Sequence, residues 1–220
     1  MKTIDAFEKT IARAESLVDL HRSAFPRGRP PASGEHLDIL RAAVVLSVSA
    51  LDSYIHDKIV ENVVRVVVHC GKKQSGFPGY LLEALKNRLP IDKALALIYR
   101  KRPDQEIQKI IRQHLAERSF QDPGKIASAL RYLGLQDLWD PLRRRLRLTS
   151  KKKAKEFVVP YVKRRNQIVH EGDVYKSKKY RHKLRAISRP FAQRSVTDIG
   201  KFVRALDVII DRHLDSKFPK

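Results

Sequence analysis

Cysteine occurs once in these 220 residues, at Cys70. A single thiol excludes an intramolecular disulfide framework and a multi-cysteine zinc site, and it suits a reducing compartment. Its neighbour His69 cannot complete a chelate with it, so no metal is expected. Long apolar runs are also missing. Arg41, Asp52, Asp57, Lys58, Glu61 and Arg65 interrupt the most apolar stretch, which falls short of the roughly 18 to 20 uninterrupted residues of a membrane span. The charged segment Met1 to Leu20 lacks the apolar core of a signal peptide. These absences imply a soluble, cytoplasmic protein with no membrane partner. No glycine-rich phosphate loop is present, since Gly124-Lys125 lacks the upstream glycine, and there is no Gly-x-Ser-x-Gly elbow. Nucleotide hydrolysis and a serine nucleophile therefore have no support, and no cofactor is implied.

Acidic residues are scarce: 24 Asp and Glu stand against 46 Lys and Arg, a net charge of +22. Such an excess implies a polyanionic partner. Its distribution is uneven. Between Pro141 and Arg194, 19 Lys and Arg face only Glu156, Glu171 and Asp173.

Apolar periodicity is helical almost throughout, and no convincing strand appears, so the expected fold is an all-α bundle. Ile4, Phe7, Ile11, Ala14, Leu17 and Val18 mark an amphipathic first helix. Pro26 to Pro31 form a linker. A long helix, nearly apolar all round between Ala42 and Leu51, is expected from about His36 to His69, closed by Gly71 to Gly79. Tyr80 to Leu148 reads as a helical insertion, with Asp122-Pro123 and Asp140-Pro141 each offering a cap followed by proline at the first helical position. Ser150 starts a helix to Glu171 with a kink at Pro160, Ile168 and Val169 turned inward, and a stop at Gly172. After a basic loop, about 173–195, Ser195 or Thr197 is expected to cap a last helix carrying Ile199, Phe202, Val203, Leu206, Ile209, Ile210 and Leu214. The length suits a single unit spanning 1–220.

The densest chemistry lies in Arg165-Asn166-Gln167-Ile168-Val169-His170. With 24 arginines and eight histidines, random placement yields about two or three Arg-to-His pairs at comparable spacing, so the spacing alone carries no weight. Context adds weight: the cluster ends a helix, lies inside the basic block, and sets Asn166 four residues before His170 on one face. A purely structural reading makes His170 an imidazolium at the negative end of its helix. Asp52 is conspicuous in an apolar helix and shares a face with Ser49 and His56; its structural reading is a buried partner for an arginine such as Arg165. Lys151-Lys152-Lys153 opens a helix, where positive charge opposes the dipole, so phosphate contact explains the run better than folding does. Arg143 to Arg147 are similar. In Tyr175 to Arg185, Tyr175, Tyr180 and His182 interleave with cations, a pattern suited to stacking on unpaired bases. The bland alternative for the block is a solvated surface.

RRNQIVHEGD, together with the upstream RAAVVLSVSALDSYI and the downstream SKKYRHKLRAISRPF, resembles the HEPN superfamily of small α-helical domains, particularly its RiboL-PSP-associated group. The resemblance implies a HEPN-like antiparallel bundle with an insertion at about 80–148, and a metal-independent endoribonuclease. Its signature is an arginine, a polar residue after it and a histidine four to six residues further on; here these are Arg165, Asn166 and His170, with Asp52 matching an acidic position on the long helix. It also implies a homodimer with a composite site. In such an enzyme histidine moves protons near neutral pH and arginine stabilises the phosphorane, leaving a 2′,3′-cyclic phosphate and a 5′-hydroxyl. The expected RNA contacts are Lys151, Lys152, Lys153, Lys163, Arg164, Tyr175, Lys176, Lys178, Lys179, Tyr180 and Arg181. A toxin or phage-defence setting, with an antitoxin or defence-system partner, fits the same features. The alternative is a non-catalytic HEPN dimer that binds nucleic acid or protein.

Overall fold

The computed structural model describes residues 2–26, 34–73, 76–88, 102–176 and 183–219, and all regular structure among them is helical. The helices are α1 (Thr3–Ala24), α2 (Leu37–Lys73, preceded by a 3-10 turn at Gly34–His36), α3 (Gly79–Arg88), α4 (Pro103–Leu115), α5 (Pro123–Leu130, followed by a 3-10 turn at Arg131–Leu133), α6 (Trp139–Arg145), α7 (Lys151–Glu156), α8 (Val159–Glu171) and α9 (Arg189–Lys217). One isolated antiparallel bridge, Val174 to Leu184, is the only strand-like pairing among the described residues.

The central element is α2. It packs against α1, α4, α8 and α9, and its side chains from Leu40 to Cys70 are buried on several faces. By length and composition α2 would also be long and apolar enough to cross a membrane, and 56% of that apolar window is buried against the rest of the bundle. On α1, Phe7, Ile11, Ala14 and Val18 form the buried stripe; on α9 the stripe runs from Ala192 to Leu214. Spacings of three and four residues put each set on one helix face, so removing that face from water ties the helix to α2. The described parts of 80–148 do not stand apart: Leu81, Ile111, Leu115, Ile126, Leu130 and Leu142 belong to the same continuous core.

Several boundaries differ from the sequence expectation. Gly71 does not end α2, which continues to Lys73; glycine in a last turn costs only about 1 kcal/mol relative to alanine. The helix expected from Ser150 to Glu171 is two helices with a break at Phe157-Val158, and Pro160 lies in the first turn of α8 rather than at a kink. Ser150 does cap α7, its Oγ accepting the Lys153 N–H at 3.2 Å. The last helix begins at Arg189, six residues before the nearer expected cap, because Ser188 accepts the Phe191 N–H and Pro190 occupies the first turn. Ser195 is buried within α9 and donates to the Ala192 carbonyl at 2.8 Å. Asp122 caps α5 through the Gly124 N–H at 2.8 Å. Asp140 does not cap; it lies in the first turn of α6 and pairs with Arg143 and Arg144.

A polar clamp joins α2 to α9. The buried Lys58 ammonium lies 2.7 Å from both Asp207 Oδ1 and Asp211 Oδ1, and the Tyr54 hydroxyl donates to the same Asp207 oxygen at 2.7 Å. Burial alone lowers a lysine pKa; here the hydrogen bonds and charges of the two aspartates outweigh it and raise Lys58. Burial and Asp207 push the Tyr54 hydroxyl far up, so it stays a donor. Lys58→Met leaves Asp207 without its cation. We expect a loss of about 3–5 kcal/mol, a fall in melting temperature on the order of 10 °C; a fall of less than about 2 °C contradicts the clamp.

Two histidines tie stability to pH. His21 accepts from Arg189 Nε at 3.1 Å, and burial, followed by Arg189 and His36, lowers its pKa below 6.5. His213 is also lowered, chiefly by burial, while its hydrogen bond to the Leu133 carbonyl opposes the shift. Both bind a proton less readily folded than unfolded, so stability is complete above about pH 6.5 and declines as pH falls through that value toward the lower folded pKa. Melting temperature should be flat above neutrality and drop between about pH 6.5 and 5. In the double variant His21→Gln/His213→Gln this drop should shrink; an unchanged slope would contradict the assignment.

Candidate active site

The site is built around the end of α8. Gly172 adopts a left-handed conformation (φ +60°), and Asp173 follows in the same region (φ +58°), its N–H returning to the Gln167 carbonyl at 2.9 Å. Glycine accepts this geometry freely; aspartate holds it at a cost of about 1–2 kcal/mol. The turn drives the Asp173 side chain inward, where it is 2% exposed. Two arginines meet it there. Arg41 Nε from α2 is 2.5 Å from Oδ2, and Arg164 from α8 spans both carboxylate oxygens at 2.5 and 2.8 Å. Further guanidinium donors are used as well: Arg41 Nη1 pairs with Asp38 at 3.0 Å, Arg41 Nη2 and Arg164 Nη2 donate to the Arg185 carbonyl, and Arg164 also reaches that of Ala186. The Arg185 N–H donates in turn to the Asp173 carbonyl at 2.7 Å. This ion-pair knot closes the neck of the basic loop. Arg164, expected on the RNA surface, is corrected by it: the residue is only 9% exposed and structural. Burial lowers its pKa despite the pull of Asp173.

Arg165, one position on and about 100° round the helix, points elsewhere. Its Nη1 donates to Asn166 Oδ1 at 3.2 Å and to His170 Nε2 at 3.2 Å. Arginine has no acceptor, so His170 takes this bond through the Nε2 lone pair and carries its proton on Nδ1. Asn166 and His170 are exposed, so the three motif side chains form one small cluster at an open helix end. Val169, expected to turn inward, is instead 47% exposed beside His170, while Ile168 packs partly against the core.

Asp52 does not join this cluster. Its carboxylate accepts the Phe120 N–H at 2.5 Å and the Gln121 side-chain amide at 3.3 Å, with His56 Nε2 at 4.0 Å. His56 packs against Phe120 with the rings tilted and 4.6 Å apart, and bonds the Arg118 carbonyl. The face shared by Asp52 and His56 thus clamps the segment between α4 and α5 onto α2. Neither the catalytic role nor the arginine-partner role expected for Asp52 describes these contacts.

The basic residues divide. Lys151 reaches Asp137 at 3.5 Å and Lys152 reaches Glu156 at 4.0 Å, yet both stay open to solvent, as do Lys153 and Lys163. Lys176 pairs with Glu171 at 3.3 Å while mostly exposed. Tyr175 was expected to offer a stacking face, but the Arg185 guanidinium lies over its ring at 4.9 Å and covers one side. Lys178, Lys179, Tyr180 and Arg181 lie outside the described residues.

Two features escaped the sequence reading. Arg144, Arg145 and Arg212 converge with His213 on a cleft of about 500 Å³ floored by Leu135, Pro141, Val208 and Ile209. A second cavity, about 290 Å³, lies directly beside Asn166. Arg212 and Asp122 reach these places from distant helices, so local spacing holds no trace of either. Among the described residues no group of three or more His, Cys, Asp and Glu is arranged to hold a metal ion. The chain matches no family model, no curated protein and no solved structure among known proteins.

Proposed function

We propose that this protein is a metal-independent endoribonuclease with a HEPN-like helical bundle. The observation that carries the reading is the Arg165 guanidinium held 3.2 Å from both Asn166 and His170 at an open helix end of a chain with net charge +22. At rest Arg165 occupies the His170 Nε2 lone pair. A phosphate is a stronger acceptor for a guanidinium than a neutral imidazole. Substrate phosphate therefore draws Arg165 away and frees Nε2 to take the 2′-hydroxyl proton. The 2′ oxygen attacks phosphorus, the bond from phosphorus to the 5′ oxygen breaks, and the leaving oxygen receives a proton; the ends are a 2′,3′-cyclic phosphate and a 5′-hydroxyl. Arg165 stabilises the added negative charge and Asn166 orients it.

One imidazole per site serves as base and leaves the acid to be found. A homodimer that brings two α8 ends together supplies it, and the exposed Val169 beside His170 favours such a contact. The exposed lysines of α7 and the loop after α8 bind the RNA backbone. A cytoplasmic setting, with an antitoxin or defence-system partner restraining the activity, belongs to the same proposal. A second reading, a non-catalytic module that binds nucleic acid or protein, is favoured by Asp52, whose carboxylate is engaged by the Phe120 N–H and the Gln121 amide and does not join the cluster.

Purified protein incubated with mixed-sequence RNA in EDTA should cut it and leave cyclic-phosphate ends, and His170→Ala should lower the rate by about 10²–10⁴-fold. Cleavage that requires magnesium, or survives in the variant, contradicts the mechanism. Binding without cleavage of any RNA supports the second reading.

A further inference from the structure

The cavity of about 290 Å³ beside Asn166 is walled by Pro123, Val159 and Val162 and rimmed by Asp122, Lys163, Asn166, Gln167 and Glu171. It lies next to the candidate chemistry through bonded steps, since Asn166 lines the cavity and engages Arg165, and Arg165 contacts His170. We infer that this cavity is a nucleobase subsite selective for guanine, fixing which nucleotide adjoins the bond that is cut; the inference rests on the ribonuclease reading.

The shape and the polar groups argue together. The volume is at the small end of ligand pockets and takes one base rather than a folded ligand. Apolar walls suit the flat faces of an unstacked base, as in other single-strand recognition. Around the rim, donors and acceptors are of both kinds. Asn166 Oδ1 already accepts from Arg165, which leaves its NH₂ as a donor, and Lys163 and the Gln167 NH₂ add two more. Among the acceptors, Glu171 is already paired with Lys176 and Arg185. Among the described residues Asp122 accepts the Gly124 N–H at 2.8 Å on Oδ1, which leaves lone pairs on both oxygens.

Guanine is the base that answers both sets. Its N1–H and N2 amino group present two adjacent donors to a carboxylate, and its O6 and N7 present two acceptors to amide or ammonium donors. Adenine turns the N1 lone pair toward a carboxylate, while uracil and cytosine each lack one of the paired groups. The position of Asp122 is itself held from behind. Phe120 N–H and the Gln121 amide bond Asp52, so Asp52 acts here as a positioning residue for the cavity wall.

The test uses the full chain with two readouts. The first maps cleavage sites on a mixed-sequence RNA; the second titrates GMP, AMP, UMP and CMP by calorimetry in the absence of RNA. We expect cutting next to guanine at least about ten times as fast as elsewhere, and GMP binding about ten times tighter than UMP or CMP. Asp122→Asn keeps a good helix cap, so its melting temperature reports whether α5 stays intact. It should reduce the guanine preference to within about threefold. Gln167→Ala tests the opposite edge of the base and should reduce the same ratio. Cleavage without base preference, a preference that Asp122→Asn leaves intact, or GMP bound no better than UMP overturns the subsite while leaving the ribonuclease reading untouched. Failure to cut any RNA sinks the ribonuclease reading, and the nucleotide titration then decides the subsite by itself.

Discussion

Everything at the working end of this molecule depends on one buried carboxylate. Asp173 sits between Arg41 and Arg164, Asp38 supplies a second carboxylate to Arg41, and the buried charges are tolerated away from water because further guanidinium donors find the Arg185 and Ala186 carbonyls. The knot joins the central helix, the helix that carries the motif and the chain returning from the basic loop. Removing any one member strands charge in the interior. The geometry is therefore all or nothing, and the strained backbone at Asp173 is held by it.

This constraint sets the roles of neighbouring residues. Arg164 and Arg165 are chemically identical and adjacent, yet one helical step separates a structural side chain from an accessible one. With Arg164 anchored inward, the half-buried Arg165 turns its Nη1 to the open helix end, where Asn166 and His170 share it. A second carboxylate, Asp52, fixes the opposite wall by gripping the segment before α5. Two aspartates on different elements thus frame an open groove in a strongly cationic chain.

The sequence made the helices readable wherever burial imposes a period: the stripes of α1 and α9, the apolar centre of α2, and the stop at Gly172 all follow from local pattern. Caps were readable at Asp122 and Ser150, but the same Asp-Pro signal failed at Asp140, which lies inside the first turn of α6. Where several hydroxyls competed, at Ser188, Ser195 and Thr197, the proline after Ser188 was the deciding signal. The site was half legible. Arg165, Asn166 and His170 cluster because they share one helix end, a local matter. Arg164 and Asp52 could not be placed from spacing, since Asp52 meets its partners 68 and 69 residues away and the fate of Arg164 depends on Arg41, far upstream. The cavity beside Asn166 joins α5 to α8, and no contiguous motif records it.

The division of labour between the adjacent arginines is the central claim, and one paired comparison tests it. Arg164→Lys and Arg165→Lys are purified side by side, and for each the melting temperature and the rate of cyclic-phosphate formation on RNA are measured. Arg164→Lys should lower the melting temperature on the order of 10 °C. Arg165→Lys should change it by less than about 2 °C while slowing cleavage by about 10²-fold or more. A stable Arg164→Lys protein, or an Arg165→Lys protein that cuts at the wild-type rate, would contradict the account.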